Sequence, residues 1–488
     1  MAKFAVKDSS LLETGAYIDG AWVAADDGST YDVRNPATGK VIAKVAQCGK
    51  AETRRAIKAA NAALPGWQKL SAKERGRILR KFFDLMMAAQ EDLAKIMTAE
   101  QGKPLSESRG EIAYGASYIE WFAEEAKRIY GDTIPGPDND KRIVVIRQPI
   151  GVVACITPWN FPNAMLARKI APALAVGCTV VCKPANLTPL SANAFAVLAE
   201  RAGVPKGVIN IVSGKTSEIG KEITSNPIVR KLTFTGSTPV GKMLVKECAD
   251  TMKRTSMELG GNAPFIVFDD ADVDEAVKGA IICKFRNAGQ TCVCANRIFV
   301  QDRIYDEFSK KFAKAVAKLK LGNGMDSGVD VGPLVSEGAA DGVMEFIDDA
   351  VASGAKAVAG GKRSKLGKAF ITPTVLTNVD KKMRVFREEI FGPVAPLFRF
   401  KTEKEAIQLA NDTEFGLASY FYARDIGRIW RVSEALEYGI VGINAGVISN
   451  EMAPFGGVKE SGQGREGSKY GVDDYLEMKY MCIAGVEK

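Results

Sequence analysis

The rhythm of hydrophobic and polar positions changes within the first 130 residues. Residues 16–23 and 30–46 alternate apolar with polar side chains and are interrupted by Asp-Gly and Asn-Pro pairs, which is typical of short strands joined by tight turns. Apolar residues then recur every three or four positions in 50–67, in 71–102 and in a third segment near 105–130. That spacing places them on one face of each segment and predicts three long helices.

Short apolar runs rich in Val, Ile, Thr and Phe replace these segments between residues 151 and 260. The predicted strands are GVVACIT, CTVVCKP, GVINIVSG, KLTFTGS and SMELGG, and the predicted helices between them span 163–176, 190–202, 217–225 and 239–250. Such alternation gives right-handed crossovers and a parallel sheet with helices on both faces. A second alternating region follows, from 263 to about 445, with helices at 272–288 and 303–318. The pattern predicts an α/β fold.

Two alternating apolar segments, 142–149 and 477–486, have no helix attached to them. A lone strand cannot bury its apolar face by itself. Either the two strands pair with each other and with a second subunit, or each forms the edge of an internal sheet. The pattern leaves both arrangements open.

Composition narrows the classes of function. The 488 residues are 46% hydrophobic and 25% charged, with a formal net charge of +8, which favours anionic small molecules as ligands. We find no basic stripe with interleaved aromatic residues for nucleic acid and no apolar run of about 18 residues for a membrane span. The nine cysteines are scattered, and the first residues resemble neither a signal peptide nor a presequence. We therefore expect a reducing, cytoplasmic location without a disulfide framework.

Polar residues follow four of the predicted strands directly. Asn160 comes after the first strand, Lys183 after the second, Gly236 and Ser237 after the fourth, and Glu258 ends the fifth. Ligands of open parallel sheets bind outside the carboxyl ends of the strands. Together these residues therefore indicate one site.

Two glycine-containing segments are candidates for phosphate binding. TGSTPVG (235–241) is a strand, a Gly-Ser turn and a helix start, where backbone N–H groups and the Ser237 hydroxyl would hold a pyrophosphate. An ordinary capped turn is the alternative. The G-x-G-x-x-G at Gly462, Gly464 and Gly467 follows no predicted strand and opens no predicted helix. We interpret it as a flexible loop and not as a dinucleotide fingerprint.

FRNAGQTCVCANR (285–297) holds Cys292 and Cys294, and the chain contains no histidine. A closed zinc site needs four N or S ligands, and no second cysteine pair has a suitable spacing, so we expect no metal. A disulfide across one residue would be strained. A nucleophilic Cys292 remains, with a buried packing residue as the alternative. Its base must be a carboxylate, a lysine or backbone dipoles, which excludes proteases and amidases of the Cys-His type.

At this point the motifs ELGGNAPFIV, FRNAGQTC, PWNFP, VCKPA, FTGST and EEIFGPV together resemble the aldehyde dehydrogenase superfamily over nearly the whole chain. KFRNAGQTCVCANR and GREGSKYGVDDYLEMKYMC are similar to its succinate-semialdehyde dehydrogenase branch. The resemblance implies a Rossmann-like cofactor domain, an α/β catalytic domain and a small β oligomerisation arm. It places the cofactor domain at 1–130 and 150–260, the catalytic domain at 261–450, and the arm at 131–149 and 470–488.

The resemblance also implies the catalytic roles. Cys292 would attack the aldehyde carbonyl, and the oxyanion would be held by the Asn160 amide and the backbone N–H of Cys292. A thiohemiacetal would lose hydride and become a thioester. Glu258 would then activate water, since burial beside apolar residues can raise the pKa of a carboxyl group toward the working pH.

The resemblance also implies which residues hold the nicotinamide cofactor, because the cofactor-binding residues of the family have counterparts in this sequence. Lys183 would reach the adenosine ribose, Ser237 the pyrophosphate, and Glu389 and Phe391 the nicotinamide end. The full expected set is Pro158, Trp159, Lys183, Ala185, Asn186, Gly236, Ser237, Gly241, Leu259, Glu389 and Phe391. Many NAD-dependent members have Glu where this chain has Asn186. A neutral amide tolerates a 2′-phosphate that a carboxylate would repel, so we predict a preference for NADP, or dual use with NAD.

Substrate choice would depend on Arg168, Arg286 and Ser449, which by similarity would grip a carboxylate at the far end of the aldehyde. The guanidinium fork matches a planar carboxylate, although two ordinary surface arginines are the alternative. The expected reaction is succinate semialdehyde to succinate. Glutarate semialdehyde, one methylene longer, or a broader range of aldehydes stays open, because a pocket resolves a methylene by only about 1–3 kcal/mol.

Single residues argue against the alternative functions. A CoA-acylating relative would usually lack the base, so Glu258 argues against it. A binding protein that has lost turnover is the non-enzymatic alternative, and intact Cys292 and Asn160 argue against it. Cys294 is either a reversible disulfide partner of Cys292 under oxidation or a packing residue. The resemblance implies a homodimer or homotetramer as the assembly.

Overall fold

The computed structural model describes residues 5–486. Its strands are β1 (Ala16–Ile18), β2 (Ala21–Val23), β3 (Thr30–Arg34), β4 (Val41–Ala46), β5 (Asp132–Pro135), β6 (Lys141–Pro149), β7 (Val152–Ile156), β8 (Thr179–Lys183), β9 (Ile209–Ile211), β10 (Val229–Thr235), β11 (Arg254–Glu258), β12 (Ala263–Val267), β13 (Ala295–Gln301), β14 (Lys356–Ala359), β15 (Thr374–Thr377), β16 (Val394–Phe400), β17 (Ala418–Tyr422), β18 (Ile440–Ile443), β19 (Gly462–Gln463) and β20 (Leu476–Ala484).

Its α-helices are α1 (Lys50–Lys69), α2 (Ala72–Ala88), α3 (Gln90–Gln101), α4 (Leu105–Glu125), α5 (Ala164–Val176), α6 (Pro189–Ala202), α7 (Thr216–Ser225), α8 (Thr238–Ala249), α9 (Val273–Phe285), α10 (Tyr305–Val316), α11 (Glu337–Ala352), α12 (Arg384–Arg387), α13 (Glu403–Asn411) and α14 (Ile426–Ala435). Helices separate most of the successive strands from β7 to β18, which confirms the predicted α/β class.

The first large sheet has eight strands in the order β19-β11-β10-β7-β8-β9-β1-β2. The five strands from β11 to β9 are parallel, whereas β19, β1 and β2 join antiparallel at the two edges. All five residues of β8 are buried, and four of the five in β7, as expected for central strands covered on both faces. The carboxyl ends of β7, β8, β10 and β11 therefore meet along one edge.

The second large sheet has seven strands in the order β14-β15-β16-β13-β12-β17-β18. Every pairing in it is parallel except that of β14 with β15. Its buried strands β12 and β17 are continuous apolar or aromatic runs, the pattern of a sheet with both faces covered. This sheet carries β13, which directly follows the two cysteines.

The two isolated strands of the sequence pair with each other. β20 runs antiparallel to β6 over nine register pairs, from Leu476 opposite Pro149 to Ala484 opposite Lys141, and β5 adds a third strand on the other side of β6. The mutual pairing of the two strands is therefore observed, and their pairing with a second subunit stays a prediction.

Three sequence expectations are wrong in detail. The helix expected over 71–102 divides at Ala89, whose ψ of 7° is not helical, and no Gly or Pro marks this break. The helix expected over 272–288 ends at Phe285 because Arg286 has a non-helical ψ of 134° and Asn287 and Ala288 adopt positive φ. The G-x-G-x-x-G segment is not a flexible loop, since Gly462 and Gln463 form β19 against β11. In residues 5–486 no helix combines the length and apolarity that crossing a membrane requires.

Candidate active site

A cavity of about 250 Å³ is lined by segments attached to both large sheets. It is lined by residues from the carboxyl ends of β7, β10 and β11, from the loop before β13 and from the segment after α12. The lining residues are Pro158, Trp159, Asn160, Phe161, Met165, Thr235, Gly236, Ser237, Leu259, Gly260, Cys292, Glu389 and Phe391. Most of the catalytic and cofactor residues expected from the sequence therefore line this one cavity.

The loop that delivers Cys292 turns sharply after α9. Asn287 (φ 52°) and Ala288 (φ 54°) both adopt the left-handed region, followed by Gly289 (φ 75°), a conformation that non-glycine residues rarely take. A Cβ on Gly289 would lie 2.2 Å from the carbonyl oxygen of Gly392. The turn therefore needs glycine at 289 and places Cys292 at the cavity instead of extending the helix.

The thiol of Cys292 is partly buried in this cavity. Burial, followed by the charge of Glu389, raises the pKa of the thiol to about 12. Glu258 acts in the same direction, whereas the cations Arg168 and Arg286 lower it. A pKa of about 12 leaves this thiol protonated at neutral pH. The thiolate is the form that acts as nucleophile, so added positive charge nearby would favour the reaction.

Asn160 is buried on the loop after β7. Its Nδ2 donates to the carbonyl oxygen of Gln290, 3.1 Å away, and its Oδ1 accepts from the backbone N–H of Phe161. The side-chain amide thus connects its own loop to the loop of Cys292. An amide N–H held beside a thiol can stabilise negative charge that develops on a carbonyl oxygen.

Glu258 ends β11 and is buried, and its Oε2 has no hydrogen-bond partner within the described residues. Burial, and then the nearby charge of Glu466, raise the pKa of Glu258 well above its usual value. Glu466 itself is held by two cations, with its carboxylate oxygens 2.5 Å from Lys169 Nζ and 2.7 Å from Arg168 Nε. These charges overcome burial and lower the pKa of Glu466.

Lys169 and Glu466 are functional candidates that the sequence reasoning missed. Glu466 lies in the glycine-rich segment that the sequence pattern indicates as a loop. A signal for Lys169 is present, because two cations interrupt the otherwise apolar helix α5, in which every residue is buried. Buried charges need partners, so a carboxylate elsewhere in the chain is implied.

The phosphate-binding candidate lies at the start of α8. Ser237 occupies the N-cap position, but its side chain makes no capping hydrogen bond, so the capped-turn alternative is not what forms. Gly241 is packed against Leu259, where a Cβ would lie 2.4 Å from its side chain. Free N–H groups at a helix start and an unengaged hydroxyl suit an anionic pyrophosphate.

Lys183 and Asn186 lie together at the end of β8. Burial lowers the pKa of Lys183 to about 8, and its Nζ donates to Pro184 O at 3.1 Å and to Asn186 Oδ1 at 3.4 Å. Asn186 Nδ2 in turn donates to the carbonyl oxygen of Gly214, 2.7 Å away. The pair presents an amine and a neutral amide; Ala185, between them in sequence, is half-buried.

Glu389 and Phe391 form the opposite wall. Glu389 Oε1 accepts from the backbone N–H of Gly261 at 3.2 Å, and burial raises the pKa of this carboxyl to about 7. The Phe391 ring meets that of Trp159 edge to face, with centroids 5.5 Å apart. Aromatic walls beside a polar carboxyl suit a flat ring that carries polar groups, so these residues fit a nicotinamide ring.

None of the three expected substrate residues is among those lining the cavity in the described part of the chain. Arg168 is buried and directed at Glu466. Arg286 is half-buried, with its guanidinium 5.5 Å from the centroid of the Phe161 ring, which does line the cavity. Ser449 is half-buried in the segment after β18.

All nine cysteines are free, and Cys294 is buried. Its Sγ donates to the carbonyl oxygens of Lys284 at 3.4 Å and Ala295 at 3.7 Å, so the thiol contacts the protein interior behind the cavity. Between residues 5 and 486, no group of three or more potential ligands is arranged to hold a metal ion.

Known proteins match this architecture over nearly its full length. The model of the aldehyde dehydrogenase family matches residues 22–481. The chain is 63% identical to a glutarate-semialdehyde dehydrogenase of Pseudomonas aeruginosa over 481 residues, covering 99% of this chain and 100% of that protein. It is 62% identical to the succinate-semialdehyde dehydrogenase (NADP(+)) GabD of Escherichia coli, covering 98% of this chain and 99% of that protein.

A solved structure is equally similar. The crystal structure of succinate-semialdehyde dehydrogenase from Burkholderia pseudomallei superposes with a TM-score of 0.98 at 62% identity, covering 99% of this chain and 100% of that one. Sequence, fold and the cavity that unites cysteine, amide and carboxylate agree on an enzyme that oxidises aldehydes with a nicotinamide dinucleotide. The chain belongs to the aldehyde dehydrogenase family.

Proposed function

We propose that this aldehyde dehydrogenase oxidises succinate semialdehyde to succinate and prefers NADP as the acceptor. The choice of substrate depends mainly on the position of Arg286. It forms no ion pair with any residue in the described part of the chain, yet its guanidinium lies against Phe161 at the cavity wall. A half-buried cation outside any ion pair is suited to binding an anionic group of the substrate. The high identity to succinate- and glutarate-semialdehyde dehydrogenases supports this choice.

The first chemical step belongs to Cys292 and Asn160. Once the thiol has lost its proton, the thiolate attacks the aldehyde carbon, and its negative charge passes to the carbonyl oxygen. Asn160 Nδ2 and the backbone N–H of Cys292 are the donors proposed to hold that oxygen. Such donors are typically worth about 10²–10³ in rate each. In the described geometry one N–H of the amide donates to Gln290 O at 3.1 Å, which fixes the side chain against the nucleophile loop, and the second N–H of the amide is the donor proposed for the oxyanion.

A nicotinamide held by Glu389, Phe391 and Trp159 would supply the hydride acceptor, and the remaining work belongs to the protein. Loss of hydride from carbon leaves a thioester on Cys292. Glu258 accepts a proton from water, the resulting hydroxide attacks the thioester carbon, and the thiolate leaves. A buried carboxylate with a raised pKa is the stronger base for this task. The charges of Lys169 and Glu466, which form an ion pair, act on the pKa of Glu258 in place of a histidine.

We propose the cofactor preference from Asn186 and Lys183. A carboxylate at position 186 would repel a 2′-phosphate, whereas the amide is neutral and the adjacent lysine is attractive. The contact of Asn186 with Gly214 holds the amide at this edge of the sheet. Pro158, Trp159, Gly236 and Ser237 would complete the site.

Glutarate semialdehyde is the second candidate substrate, favoured by the 63% identity to a protein of that name. The two differ by one methylene. Because Arg168 is engaged by Glu466, we propose that Arg286 and Ser449 make the main contacts to the distal carboxylate and that Arg168 contributes charge from behind.

We propose that the β5-β6-β20 sheet mediates assembly into a dimer or tetramer. On β20, Met478 and Tyr480 are 75% and 63% exposed, and exposed apolar side chains on an edge strand favour association with another chain. The division into a cofactor domain (1–130 and 150–260), a catalytic domain (261–450) and the arm remains our proposal, as does a cytoplasmic location, which the nine free cysteines support.

The test is a panel of aldehydes assayed with NAD and NADP by absorbance of the reduced cofactor. We expect the highest kcat/KM for succinate semialdehyde with NADP. Higher values for glutarate semialdehyde select the second candidate. Equal values for uncharged aldehydes of the same length refute the role of a distal carboxylate.

A further inference from the structure

Two buried charged residues, one just before α4 and one within it, contact a loop of the active site on the side away from the cavity. Lys103 and Glu111 form an ion pair with a 2.5 Å separation between Nζ and Oε2, and both side chains are 1% exposed. The pair is outside the cavity and has no part in the chemistry proposed above. Burying two charges is costly unless both are fully satisfied, so their contacts are informative.

Lys103 reaches the loop that carries the proposed oxyanion donor. Its Nζ donates to the backbone carbonyl oxygen of Asn160, 2.6 Å away. The same ammonium lies 3.9 Å from the centroid of the Phe161 ring. The Lys103 ammonium therefore has three partners, which are a carboxylate, a backbone carbonyl and a ring face. Through them it holds the backbone at Asn160 and Phe161 in place.

Glu111 holds the far end of that loop. Its Oε1 accepts from the backbone N–H groups of Asn163 at 2.9 Å and Ala164 at 3.2 Å, at the start of α5. A carboxylate at a helix start is favoured by the orphan N–H groups and the helix dipole. The ion pair thus grips the loop 157–163 at two places.

The nucleophile loop is tied to the same carbonyl. Asn287 Nδ2 donates to Asn160 O at 3.0 Å and to Gln290 O at 3.2 Å, while Asn287 Oδ1 accepts from Gln101 Nε2 at 2.9 Å. The backbone N–H of Asn287 donates to Glu107 at 2.8 Å. A left-handed residue persists only where its surroundings determine it, and here they also determine the position of Asn160.

We propose that Lys103 and Glu111 are positioning residues that set the distance between the Asn160 amide and the sulfur of Cys292. The proposal rests on the roles of Asn160 and Cys292 given above, and not on the identity of the aldehyde or cofactor. A misplacement of about 1 Å in such a site can cost about 10²-fold in rate. Loss of the pair should therefore lower kcat without changing cofactor binding.

The main variant is Lys103→Met combined with Glu111→Gln. Lys103→Met alone leaves a buried carboxylate without its cation and is prone to misfold. In the double variant both charges are removed together. The amide oxygen introduced by Glu111→Gln can still accept from the N–H groups of Asn163 and Ala164, so the contacts at the start of α5 are retained. The variant removes the donation from Lys103 Nζ to Asn160 O and the ammonium contact with the Phe161 ring, whereas the donation from Asn287 Nδ2 to Asn160 O remains.

The matched control is Lys253→Met. Lys253 is also a buried lysine whose Nζ donates to two backbone carbonyls, those of Asn226 at 2.7 Å and Val229 at 2.9 Å. These lie in the turn before β10 and at its first residue, away from the nucleophile loop. Its loss should lower stability while leaving kcat within about two-fold of wild type, as for a structural site that contacts no active-site group.

Each protein is assayed with the aldehyde that the wild type oxidises fastest, so a failure of the succinate semialdehyde proposal does not affect this test. Two further measurements are the rate of alkylation of Cys292 by iodoacetamide, which develops no oxyanion, and the dissociation constant of the cofactor. For the double variant we expect kcat to fall about 10²-fold, with alkylation and cofactor binding within about three-fold of wild type.

A wild-type kcat in the double variant overturns the proposal. So does a parallel fall in alkylation, since that means displacement of the thiol and a general structural role. The final check is the Asn160→Ala background. If Lys103 and Glu111 act through the amide, their replacement there should cost less than about three-fold, because effects on one unit are not additive. A full additional loss is the contrary result.

Discussion

Replacement of Arg286 is the most direct test of how the distal carboxylate is recognised. Arg286→Ala removes a half-buried guanidinium that lies 5.5 Å from the Phe161 ring and has no ion pair in the described part of the chain. Two unit charges about 4 Å apart interact by about 4 kcal/mol at an effective dielectric constant of about 20. Partial exposure reduces this value. Charge-assisted hydrogen bonds in such settings contribute about 1.5–3 kcal/mol.

A loss of that size corresponds to about 10- to 150-fold in kcat/KM, at about 1.4 kcal/mol per factor of ten. We expect this loss for succinate semialdehyde and less than about three-fold for butanal, which has the same four-carbon chain without the carboxylate. Arg286→Lys keeps the charge but loses the fork, so it should fall between wild type and Arg286→Ala. The assay is steady-state reduction of the cofactor with both substrates.

The result that refutes this reasoning is an equal loss for both aldehydes. In that case Arg286 supports the loop of Cys292 and does not bind substrate. Alkylation of Cys292 separates the two explanations, because a displaced loop would also change the reactivity of the thiol towards a small neutral reagent. An unchanged kcat/KM for both aldehydes would exclude either role.

Four further outcomes are expected. Asn186→Glu should reverse the cofactor preference, raising KM for NADP by about ten-fold or more relative to NAD, since a single like charge near the 2′-phosphate is worth about 1–2 kcal/mol in a solvated site; unchanged KM values contradict it. Glu258→Gln should trap the acyl group on Cys292, visible by mass spectrometry. In wild type, hydrolysis should fail below an apparent pKa higher than the usual carboxyl range, because the raised pKa of Glu258 keeps the base protonated at low pH, and normal turnover at pH 5 contradicts this. The thiol of Cys292, with its pKa of about 12, should be alkylated faster with NADP⁺ than with NADPH, whose ring lacks the positive charge; equal rates contradict it.

Strand ends were the most predictable part of the site. Asn160, Lys183, Ser237 and Glu258 each follow a short apolar run, and parallel strands place such residues along one edge. The structure brings these strand ends to the same edge of one sheet, and all but Lys183 and Glu258 line the cavity itself. The apolar pattern was sufficient to locate these strand ends, because strands that are buried on both faces are continuous apolar runs.

The loop geometry was not predictable from the pattern. Asn287 and Ala288 adopt positive φ although neither is glycine; asparagine tolerates this conformation better than most residues, but alanine does not favour it. The conformation is imposed by distant residues, with Glu107 accepting from the Asn287 N–H. Local sequence also held no sign of the break at Ala89, since alanine is compatible with a continuous helix and the turn comes from packing of α3 into the core.

The absence of histidine explains why so many buried charges surround the reaction centre. A histidine would titrate near neutral pH without assistance, whereas a carboxyl or an amine must be moved there by its surroundings. Burial raises the pKa of Glu258 and brings that of Glu389 to about 7. Desolvation is the largest cause of both shifts, and charges that are removed from water need partners. The Lys169–Glu466 and Lys103–Glu111 pairs meet that requirement beside the base and behind the oxyanion donor. Replacing either pair by a neutral one should therefore change the acidity or the position of a reacting group before it unfolds the protein.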